Sequence, residues 1–398
     1  MNPPGPVSEK HQIDALFSVG YEFQNSGRYH KAIGAYREVI RRNPDYASAY
    51  NNLGNCLRSL GKNFEALEFY NKALSLEPDK GSALLNKSIA LLSLGRYEEA
   101  WPLYRHRLPT ISRRSEVLHC DKPEWDGSSL SDGKTLFLYS NQGLGDELQT
   151  LRYLNLVTNR VKNIIWEVQK PNYELFKNVP GINQVVVRQN GVNGALPGFD
   201  FHCEMFSLPE IFGTNFENVP PPWRPPFAPD YDIKCRVTEE RTKFPDHKHI
   251  GLVWSGNPKN DLNRYRACGL VHYLPLLQQT NCRFYSLQKG SPRNDIEKFK
   301  NQIPGNLIDL ADCLPNMAST ATAIDELDFV ITTDTSIPHL AGTIGAEAWV
   351  VLHQPSDWRW TLDKETSPWY PQLKLFRMDR PGTWKSVIDR VIEQIATT

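Results

Sequence analysis

The stretch that decides the fold runs from Phe329 to Trp360 and reads FVITTDTSIPHLAGTIGAEAWVVLHQPSDWRW. Its apolar start and the later run AWVVL (348–352) have the composition of buried strands, and a polar turn with small residues lies between them. This order predicts a strand, a turn, a short helix and a second strand, which is a βαβ unit of a parallel sheet. Ligands of such sheets bind beyond the carboxyl ends of the strands, where a helix N-terminus favours an anion. The turn at Asp334–Ser336 is therefore predicted to hold a phosphate-bearing ligand.

The overall composition excludes several classes of protein. The chain has 398 residues with 45 basic and 45 acidic side chains, so its formal net charge is zero. A neutral chain has no general attraction to nucleic acid or to anionic membranes, and we expect no nucleic-acid partner. The sequence contains no apolar run of transmembrane length, and residues 1–10 lack the apolar core of a signal peptide. The seven cysteines are scattered without a C-x-x-C pair, which favours reduced thiols and a cytoplasmic location.

The amino-terminal part of the chain is a repeat. The ~34-residue tetratricopeptide pattern has large, Gly, Ala and Pro positions, and residues 47–78 match it at Tyr50, Leu53, Gly54, Leu57, Ala66, Tyr70, Ala73 and Pro78. The pattern recurs one period before and one period after, so we predict three repeats over residues 10–108. Stacked repeats leave a concave groove. Asn51, Asn52 and Asn55 lie on one helix face and can hydrogen-bond a polypeptide held there; a spacer or a dimer surface is the alternative role.

An alternation of strands and helices follows the repeats. Residues 109–134 form a polar, turn-rich linker, and residues 135–218 alternate apolar strand segments with short helical segments. This alternation predicts a parallel sheet and hence a first Rossmann-like domain. The segment VPPPWRPPFAP (219–229) has six prolines, which exclude a helix or a central strand, so it is a second linker. A second Rossmann-like domain is predicted over residues 230–398.

The first predicted strand, residues 135–139, opens into the turn Gln142-Gly143-Leu144-Gly145-Asp146. The glycines allow a tight turn with a close backbone approach, and a helix is expected to run from Asp146 to about Asn159. Asp146 has two interpretations. It is either a cap of this helix or a catalytic carboxylate at the mouth of the turn. The turn is neither a full dinucleotide-binding motif nor a P-loop.

Polar residues follow three predicted strands of the second domain, at Ser255–Arg266, Gln288–Gly290 and Asp334–His339. Because the carboxyl ends of parallel strands meet at one edge of a sheet, we expect these residues to contact a single ligand. Arg264 and Arg266 suit bidentate contacts to phosphate. A solvated pair of surface arginines is the alternative interpretation.

Two further features are better explained by structural roles. His202 follows a predicted strand, and a hydrogen-bonded structural histidine is the favoured interpretation. Asp230 and Asp232 form a D-x-D motif, which holds a divalent metal in some sugar-transferring enzymes. Here the motif follows the proline-rich linker and not a central strand, so we expect no metal site.

In this order, the motifs resemble bacterial glycosyltransferases that join tetratricopeptide repeats to a domain like the lipopolysaccharide heptosyltransferases (glycosyltransferase family nine). The resemblance depends on QGLGD (142–146), GLVWSGNP (251–258), FYSLQKG (284–290), DTSIPHLAG (334–342), PSDWRW (355–360) and SPWYP (367–371). It implies an α + α/β fold in which the repeats precede a GT-B pair of Rossmann-like domains, with the donor bound mainly by the second. The chain departs from the family at NRYRA (263–267), where relatives have an Asp-Arg-x-Arg-Ser run, and at Ile337-Pro338, where smaller residues are usual.

The resemblance also implies roles for individual residues. Asp146 matches the proposed general base, Thr335 and Ser336 match the loop for the donor diphosphate, and Gln288 and Lys289 match a segment near the nucleoside. The other residues expected on the donor side are Ser255, Asn257, Arg264, Arg266, Asp334 and His339. The residues expected on the acceptor side are Gln142, Gly143 and Gly145, with the three asparagines of the repeats. His339 is expected to orient its loop or to contact the leaving group.

Together these expectations describe an inverting, metal-independent glycosyltransferase with a nucleotide-sugar donor and no cofactor. Asp146 takes the proton of the acceptor hydroxyl, and Arg264, Lys289 and the helix N-terminus at Thr335–Ser336 stabilise the departing phosphate. The acceptor is expected to be a protein held by the repeats. A lipid-linked or polysaccharide acceptor and a non-catalytic repeat scaffold are the alternatives. Sugars activated by ADP, UDP or GDP fit the site, as does a nonulosonic acid activated by CMP.

Overall fold

A computed structural model describes residues 9–110, 120–188, 198–260, 262–379 and 382–397, and these form two compact units. The first unit contains the helices of the repeats together with Pro355–Leu362, and the second contains the remainder of the described chain. The predicted order, helical repeats followed by parallel α/β sheets, is confirmed. None of the described helices is long and apolar enough to cross a membrane.

Three helix pairs make up the repeats: α1 (Glu9–Asn25), α2 (Tyr29–Arg42), α3 (Ala47–Ser59), α4 (Asn63–Leu76), α5 (Gly81–Ser93) and α6 (Tyr97–Tyr104). A 3-10 helix at Arg105–Thr110 follows them. Glycine allows the two helices of a pair to touch. A Cβ atom added at Gly20 would lie 2.8 Å from the Tyr36 ring, and one added at Gly54 would lie 2.6 Å from the Tyr70 ring. The small residues of the repeat pattern therefore set the helix spacing in the first two pairs.

One segment of the first unit comes from a distant part of the sequence. Pro355–Leu362 contains a 3-10 helix, and its Trp358 ring lies 5.8 Å from the Trp101 ring and 6.3 Å from the Tyr97 ring, centroid to centroid. Trp358 is 4% exposed. The segment falls inside the predicted second domain (230–398), but aromatic burial against α6 groups it with the repeats.

The second unit begins with a four-stranded parallel sheet of order β3-β2-β1-β4. Its strands are β1 (Thr135–Tyr139), β2 (Asn163–Val168), β3 (Gln184–Val187) and β4 (Phe201–Glu204), and its helices are α7 (Leu144–Thr150), α8 (Leu154–Thr158), α9 (Lys170–Phe176) and α10 (Leu208–Ile211). A 3-10 helix at Leu151–Tyr153 separates α7 from α8, so the prediction of one helix from Asp146 to Asn159 is wrong. The Thr150 hydroxyl donates to the Asp146 and Glu147 carbonyls, and such bonds bend helices.

The second sheet is parallel, with six strands in the order β10-β9-β8-β5-β6-β7. Its strands are β5 (Lys248–Val253), β6 (Cys282–Ser286), β7 (Leu307–Asp309), β8 (Phe329–Thr333), β9 (Ala348–Leu352) and β10 (Lys374–Arg377). Its helices are α11 (Tyr231–Lys243), α12 (Asn263–Arg266), α13 (Leu270–Leu277), α14 (Asp295–Lys298), α15 (Met317–Asp325), α16 (Ser336–Ile344) and α17 (Trp384–Thr397). Because β5 lies between β8 and β6, the carboxyl ends of these three strands are neighbours. Apolar residues on one face of this sheet, among them Leu252 and Ile331, form a buried core with α13 and α17.

The proline-rich linker (219–229) has neither helix nor strand, in agreement with the sequence. It is nevertheless bonded to helical segments that follow strands of both sheets of the second unit. Arg152, which follows α7, donates to the Pro220 carbonyl at 2.9 Å. Arg224 pairs with Asp325 on the other side and donates to the Ile344 carbonyl at 2.8 Å. The linker therefore connects the helical segments of the two halves by hydrogen bonds as well as by its backbone.

Candidate active site

The buried amide of Gln288 joins the carboxyl ends of β5 and β6. Its Oε1 accepts the backbone N–H groups of Trp254 and Ser255 at 3.0 and 2.9 Å, and its Nε2 donates to the Ser255 carbonyl at 3.0 Å. The residue is 2% exposed, so water does not compete for these bonds. Gln288 therefore shapes the edge of the sheet at which the donor was predicted to bind, and both ends of its amide are bonded within the protein.

The turn after β5 is closed by Asn263. Its Oδ1 accepts the Gly256 N–H at 2.8 Å, and its Nδ2 donates to Ser255 Oγ at 3.2 Å. Glycine is required here because an added Cβ would lie 2.8 Å from Asn263 Oδ1. That Cβ would also lie 3.5 Å from the Thr335 methyl group. The turns after β5 and β8 are therefore in contact, as their positions in the sheet require.

An ion pair also connects these two turns. Arg266 Nε, at the end of α12, lies 3.2 Å from Asp334 Oδ2. Asp334 is 5% exposed, and an isolated carboxylate in such a place would be costly. Arg266 offsets this charge directly before the helix that was predicted to face a phosphate. Two predicted donor-side residues are thus brought together, and part of the positive charge of Arg266 is used inside the protein.

The N-terminus of α16 offers fewer amide donors than the sequence suggested. Thr335 caps the helix, because its Oγ1 accepts the Ile337 N–H at 3.2 Å. Pro338, the third residue of the helix, has no N–H group. Among the first three helical residues, the amide available to an anion is therefore that of Ser336. A phosphate bound here would therefore depend mainly on side chains for its remaining contacts.

Asp146 caps the N-terminus of α7. It is the third residue of the helix, and its Oδ2 accepts the Gly143 N–H at 2.7 Å. The helix dipole favours a carboxylate at this place. The residue is nonetheless partly exposed, and an ionised carboxylate has about four acceptor sites. Capping and proton acceptance are therefore compatible in this geometry.

Helices α7 and α16 pack against each other although they belong to different sheets. A Cβ added at Gly145 would lie 2.5 Å from Cδ2 of His339. One turn further along, Thr343 Oγ1 donates to the Leu148 carbonyl at 3.2 Å. Only a glycine allows the first contact. Gly145 thus brings the Asp146 turn against the helix that begins at Ser336.

Three other predicted donor-side residues make different contacts. Lys289 donates from Nζ to the Ala311 carbonyl at 2.6 Å, which connects the ends of β6 and β7. Arg264 is exposed, with its guanidinium 4.7 Å from the centroid of the Tyr265 ring. Asn257 is exposed as well. The contacts described above therefore bring together Ser255, Gln288, Arg266, Asp334 and Thr335, but not these three.

The asparagines of the repeats bond largely to one another and to tyrosines. Asn51 donates to Asn52 at 3.2 Å and accepts from Asn86 of the next repeat at 3.0 Å, and Asn55 accepts from Tyr70 at 2.9 Å. Asn51 is 5% exposed, so its amide connects repeats and does not face solvent. Asn52 and Asn55 are partly exposed. They are the two of the predicted set that a bound polypeptide can reach.

Glu147, the residue after Asp146, has a buried role that its place in the sequence does not reveal. Its fully buried carboxylate accepts from Asn172 Nδ2 at 2.7 Å and from the Gln169 N–H at 3.1 Å, and lies 3.5 Å from Arg188. Burial raises the pKa of Glu147, against smaller effects of Asn172 and Arg188 that lower it. In a sequence, an Asp-Glu pair at a helix start has the pattern of two exposed charges, which hides this role.

His202 and Asp230 have structural roles. His202 Nε2 lies 3.1 Å from the Lys122 carbonyl oxygen, and Asp230 caps α11 by accepting the Ile233 N–H. Across the described ranges, no three His, Cys, Asp or Glu side chains are grouped as metal ligands.

Known proteins are similar to the repeats and to a longer part of the chain. The tetratricopeptide repeat family model matches residues 20–80. Protein FlbA of Caulobacter vibrioides is 25% identical over 293 residues, which are 67% of this chain and 47% of FlbA. The chain thus spans about half the length of this curated relative. The repeats are similar to MamA (28% identity, 24% of this chain, 57% of that chain, TM-score 0.23) and to the TPR2B domain of yeast Sti1 in its Hsp70 complex (26%, 24%, 77%, 0.24).

A glycosyltransferase of family nine from Veillonella parvula is similar to 68% of this chain, with 98% of its own chain covered, 12% identity and a TM-score of 0.48. This likeness concerns the fold alone. The chain has a tetratricopeptide repeat region followed by two parallel α/β sheets of the kind found in GT-B glycosyltransferases.

Proposed function

We propose that the chain is an inverting glycosyltransferase that moves a sugar from a nucleotide-activated donor to an acceptor hydroxyl. The observation that carries the proposal is the contact between Gly145 and His339. It brings a partly exposed carboxylate, Asp146, near a capped helix N-terminus at Ser336. A base close to a phosphate-binding helix N-terminus suits transfer from a phosphate leaving group. The six ordered motifs that resemble family nine support the same donor class.

In the proposed reaction, Asp146 accepts the proton of the acceptor hydroxyl while the hydroxyl oxygen bonds to the anomeric carbon. The bond from that carbon to the donor phosphate breaks on the opposite face, so the configuration inverts. The departing phosphate keeps the electron pair and is stabilised by Thr335 and by the Ser336 N–H. Arg264 and Lys289, which contact Tyr265 and the Ala311 carbonyl in this structure, would have to turn toward the phosphate to add their charge. These groups take the place of a metal ion, and no cofactor is involved. Base catalysis of this kind contributes ~10²–10⁴-fold.

The proposed acceptor is a protein that binds along the repeats. Asn52 and Asn55 are partly exposed there, and Tyr21 of α1 is 52% exposed. Tyr36 connects these residues. Its hydroxyl accepts from Asn52 Nδ2 at 3.3 Å, and Tyr21 lies near enough to contribute to the raised pKa of Tyr36, which is due mainly to burial. A surface of amides and tyrosines can bond an extended backbone without requiring a charged partner. We place the reaction in the cytoplasm, since all seven cysteines are free thiols.

A thermal-shift screen with ADP, UDP, GDP and CMP tests the donor. A bound nucleotide stabilises by RT ln(1 + [L]/Kd), which is about 2.7 kcal/mol at 100 times Kd. We expect one nucleotide to raise Tm clearly above the others. Thr335→Ala should reduce that shift, whereas Thr242→Ala on the exposed face of α11 should not. No shift with any nucleotide, together with no transfer from any nucleotide sugar, would contradict the proposal and favour a non-catalytic scaffold.

A double variant tests the protein acceptor. Tyr21→Ala with Asn52→Ala should slow transfer to a protein acceptor and leave slow hydrolysis of the donor unchanged, because only the repeats are altered. Phe64→Ala, on α4, is the matched control, since Phe64 is 70% exposed. Equal transfer by the double variant and the control would favour a lipid-linked or polysaccharide acceptor.

A further inference from the structure

Tyr370 is buried in the second unit and contacts α16 through both its hydroxyl and its ring. It is 0% exposed, and its hydroxyl oxygen lies 3.1 Å from Nδ1 of His339. Its ring lies directly on Gly342, where an added Cβ would overlap ring atoms. A glycine is needed at that place so that the tyrosine can reach the histidine one turn earlier in the same helix. The surface of α16 at Gly342 therefore fits the ring of Tyr370, and its His339 side chain meets the hydroxyl.

A further neighbour of Tyr370 is Arg152, in the 3-10 helix that follows α7. The guanidinium of Arg152 lies 4.8 Å from the centroid of the Tyr370 ring. Arg152 is 4% exposed and is itself held by bonds to the carbonyls of Gln149 and Pro220, both at 2.9 Å. Tyr370 is therefore enclosed between an element that follows α7 and the helix α16.

His339 continues this chain of contacts toward Asp146. The imidazole uses Nδ1 toward Tyr370 and its Cδ2 edge toward Gly145. Its ring orientation therefore sets the distance between the Gly145–Asp146 backbone and α16. If the ring were flipped about its Cβ–Cγ bond, Nδ1 would face Gly145 and Cδ2 would face Tyr370. The hydrogen bond to Tyr370 would then be lost, because a ring carbon cannot accept it.

We propose that Tyr370 is a positioning residue for the transfer reaction. Its hydroxyl donates to Nδ1 of His339, which leaves the imidazole proton on Nε2 and keeps the ring edge-on to Gly145. The Arg152 cation above the phenol ring draws electron density from it and makes the hydroxyl a better donor. The same cation disfavours a second positive charge on the imidazole. Tyr370 thus acts on Asp146 through His339 and Gly145.

The catalytic part of this inference rests on the proposed function, and the tautomer part does not. The tautomer is measured by NMR of protein labelled with 15N-histidine, using His339→Gln to assign the His339 signal among the ten histidines. We expect the wild type to carry the proton on Nε2. In Tyr370→Phe, the His339 nitrogen shifts should move and those of the other histidines should stay. A wild-type proton on Nδ1, or unchanged His339 shifts in Tyr370→Phe, would overturn the proposal.

Activity is the second measurement. Tyr370→Phe should lower kcat about tenfold and leave KM for the donor unchanged, since the hydroxyl positions the base and does not bind the sugar nucleotide. Tyr273→Phe is the matched control, because Tyr273 is 0% exposed and its hydroxyl has no hydrogen-bond partner among the described residues. Equal kcat values for the two variants would overturn the positioning role. A wild type without transfer would refute the proposed function, while the tautomer measurement still decides the role of Tyr370 toward His339.

Discussion

The turn after β1 and the turn after β8 start alike and differ in where they carry negative charge. Each leads from a parallel strand into a short helix. In the first turn, Asp146 lies inside the helix, caps it through the Gly143 N–H and is partly exposed. In the second, a neutral hydroxyl, Thr335, is the cap, and the carboxylate of Asp334 is buried beside Arg266. The first turn therefore suits the base that we propose, and the second suits the phosphate that we propose as its ligand.

The largest effect is expected from Asp146→Asn. An amide oxygen can still accept the Gly143 N–H, so the cap remains, but an amide does not take a proton at neutral pH. Transfer should fall ~10²–10⁴-fold while nucleotide binding is unchanged. Transfer rate and nucleotide-induced Tm shift are the two measurements. Asp132→Asn is the control, since that side chain is 82% exposed. Full activity in Asp146→Asn would remove the contrast in function between the two turns.

Gly145→Ala tests whether the two turns must touch. The new methyl group would lie 2.5 Å from His339 Cδ2, so the ring or the backbone must shift. Overpacking of this kind costs about 1–3 kcal/mol, which chemical denaturation measures, and transfer should fall with it. Gly34→Ala is the matched control, because an added Cβ there meets nothing within 4 Å. As an exposed helix position, it should gain about 0.5–1 kcal/mol. Equal stability of both variants would show that the Gly145 contact is unimportant.

Thr335→Ala removes the neutral cap of the second turn. Loss of a cap typically costs about 1 kcal/mol, and the Tm of the protein should fall accordingly. Nucleotide affinity should fall as well, because the Ile337 N–H loses its partner and the turn is less ordered. Thr335→Ser keeps the hydroxyl and should restore both. If Thr335→Ala binds nucleotide as tightly as Thr335→Ser, the capped turn is not where the phosphate binds.

The smallest effect concerns Glu147 at the first turn. Burial raises its pKa above the ordinary 4.5. The protonated form is therefore favoured by folding, and this contribution is lost as pH rises through the folded-state pKa. The stability of the wild type relative to Glu147→Gln should thus decrease above about pH 4.5, measured by urea unfolding at a series of pH values. Glu174→Gln, with a side chain 43% exposed, supplies the baseline. A difference independent of pH would mean that Glu147 is not buried in solution.

The sequence alone was sufficient for the repeats and for most strands. β1 and β9 have the predicted ends, because continuous apolar runs bounded by polar residues identify buried strands. In the repeats, Gly54 meets Tyr70 within one helix pair. Such contacts depend on helix periodicity and one short turn, both of which are visible in the residue pattern.

Only the tertiary structure decided which partners the side chains around the two turns contact. The sequence predicts Gln288 and Lys289 at a ligand site. The structure adds that Gln288 accepts the Ser255 N–H after β5 and that Lys289 donates to the Ala311 carbonyl. Trp358 packs with the repeats although the strands before and after its segment, β9 and β10, belong to the second sheet. Tyr370 reaches His339, and Gly145 reaches the same ring from another sheet. Residue types and local periodicity fix strands, helices and caps, whereas the partner of a side chain depends on which distant segments the folded chain brings within a few ångströms.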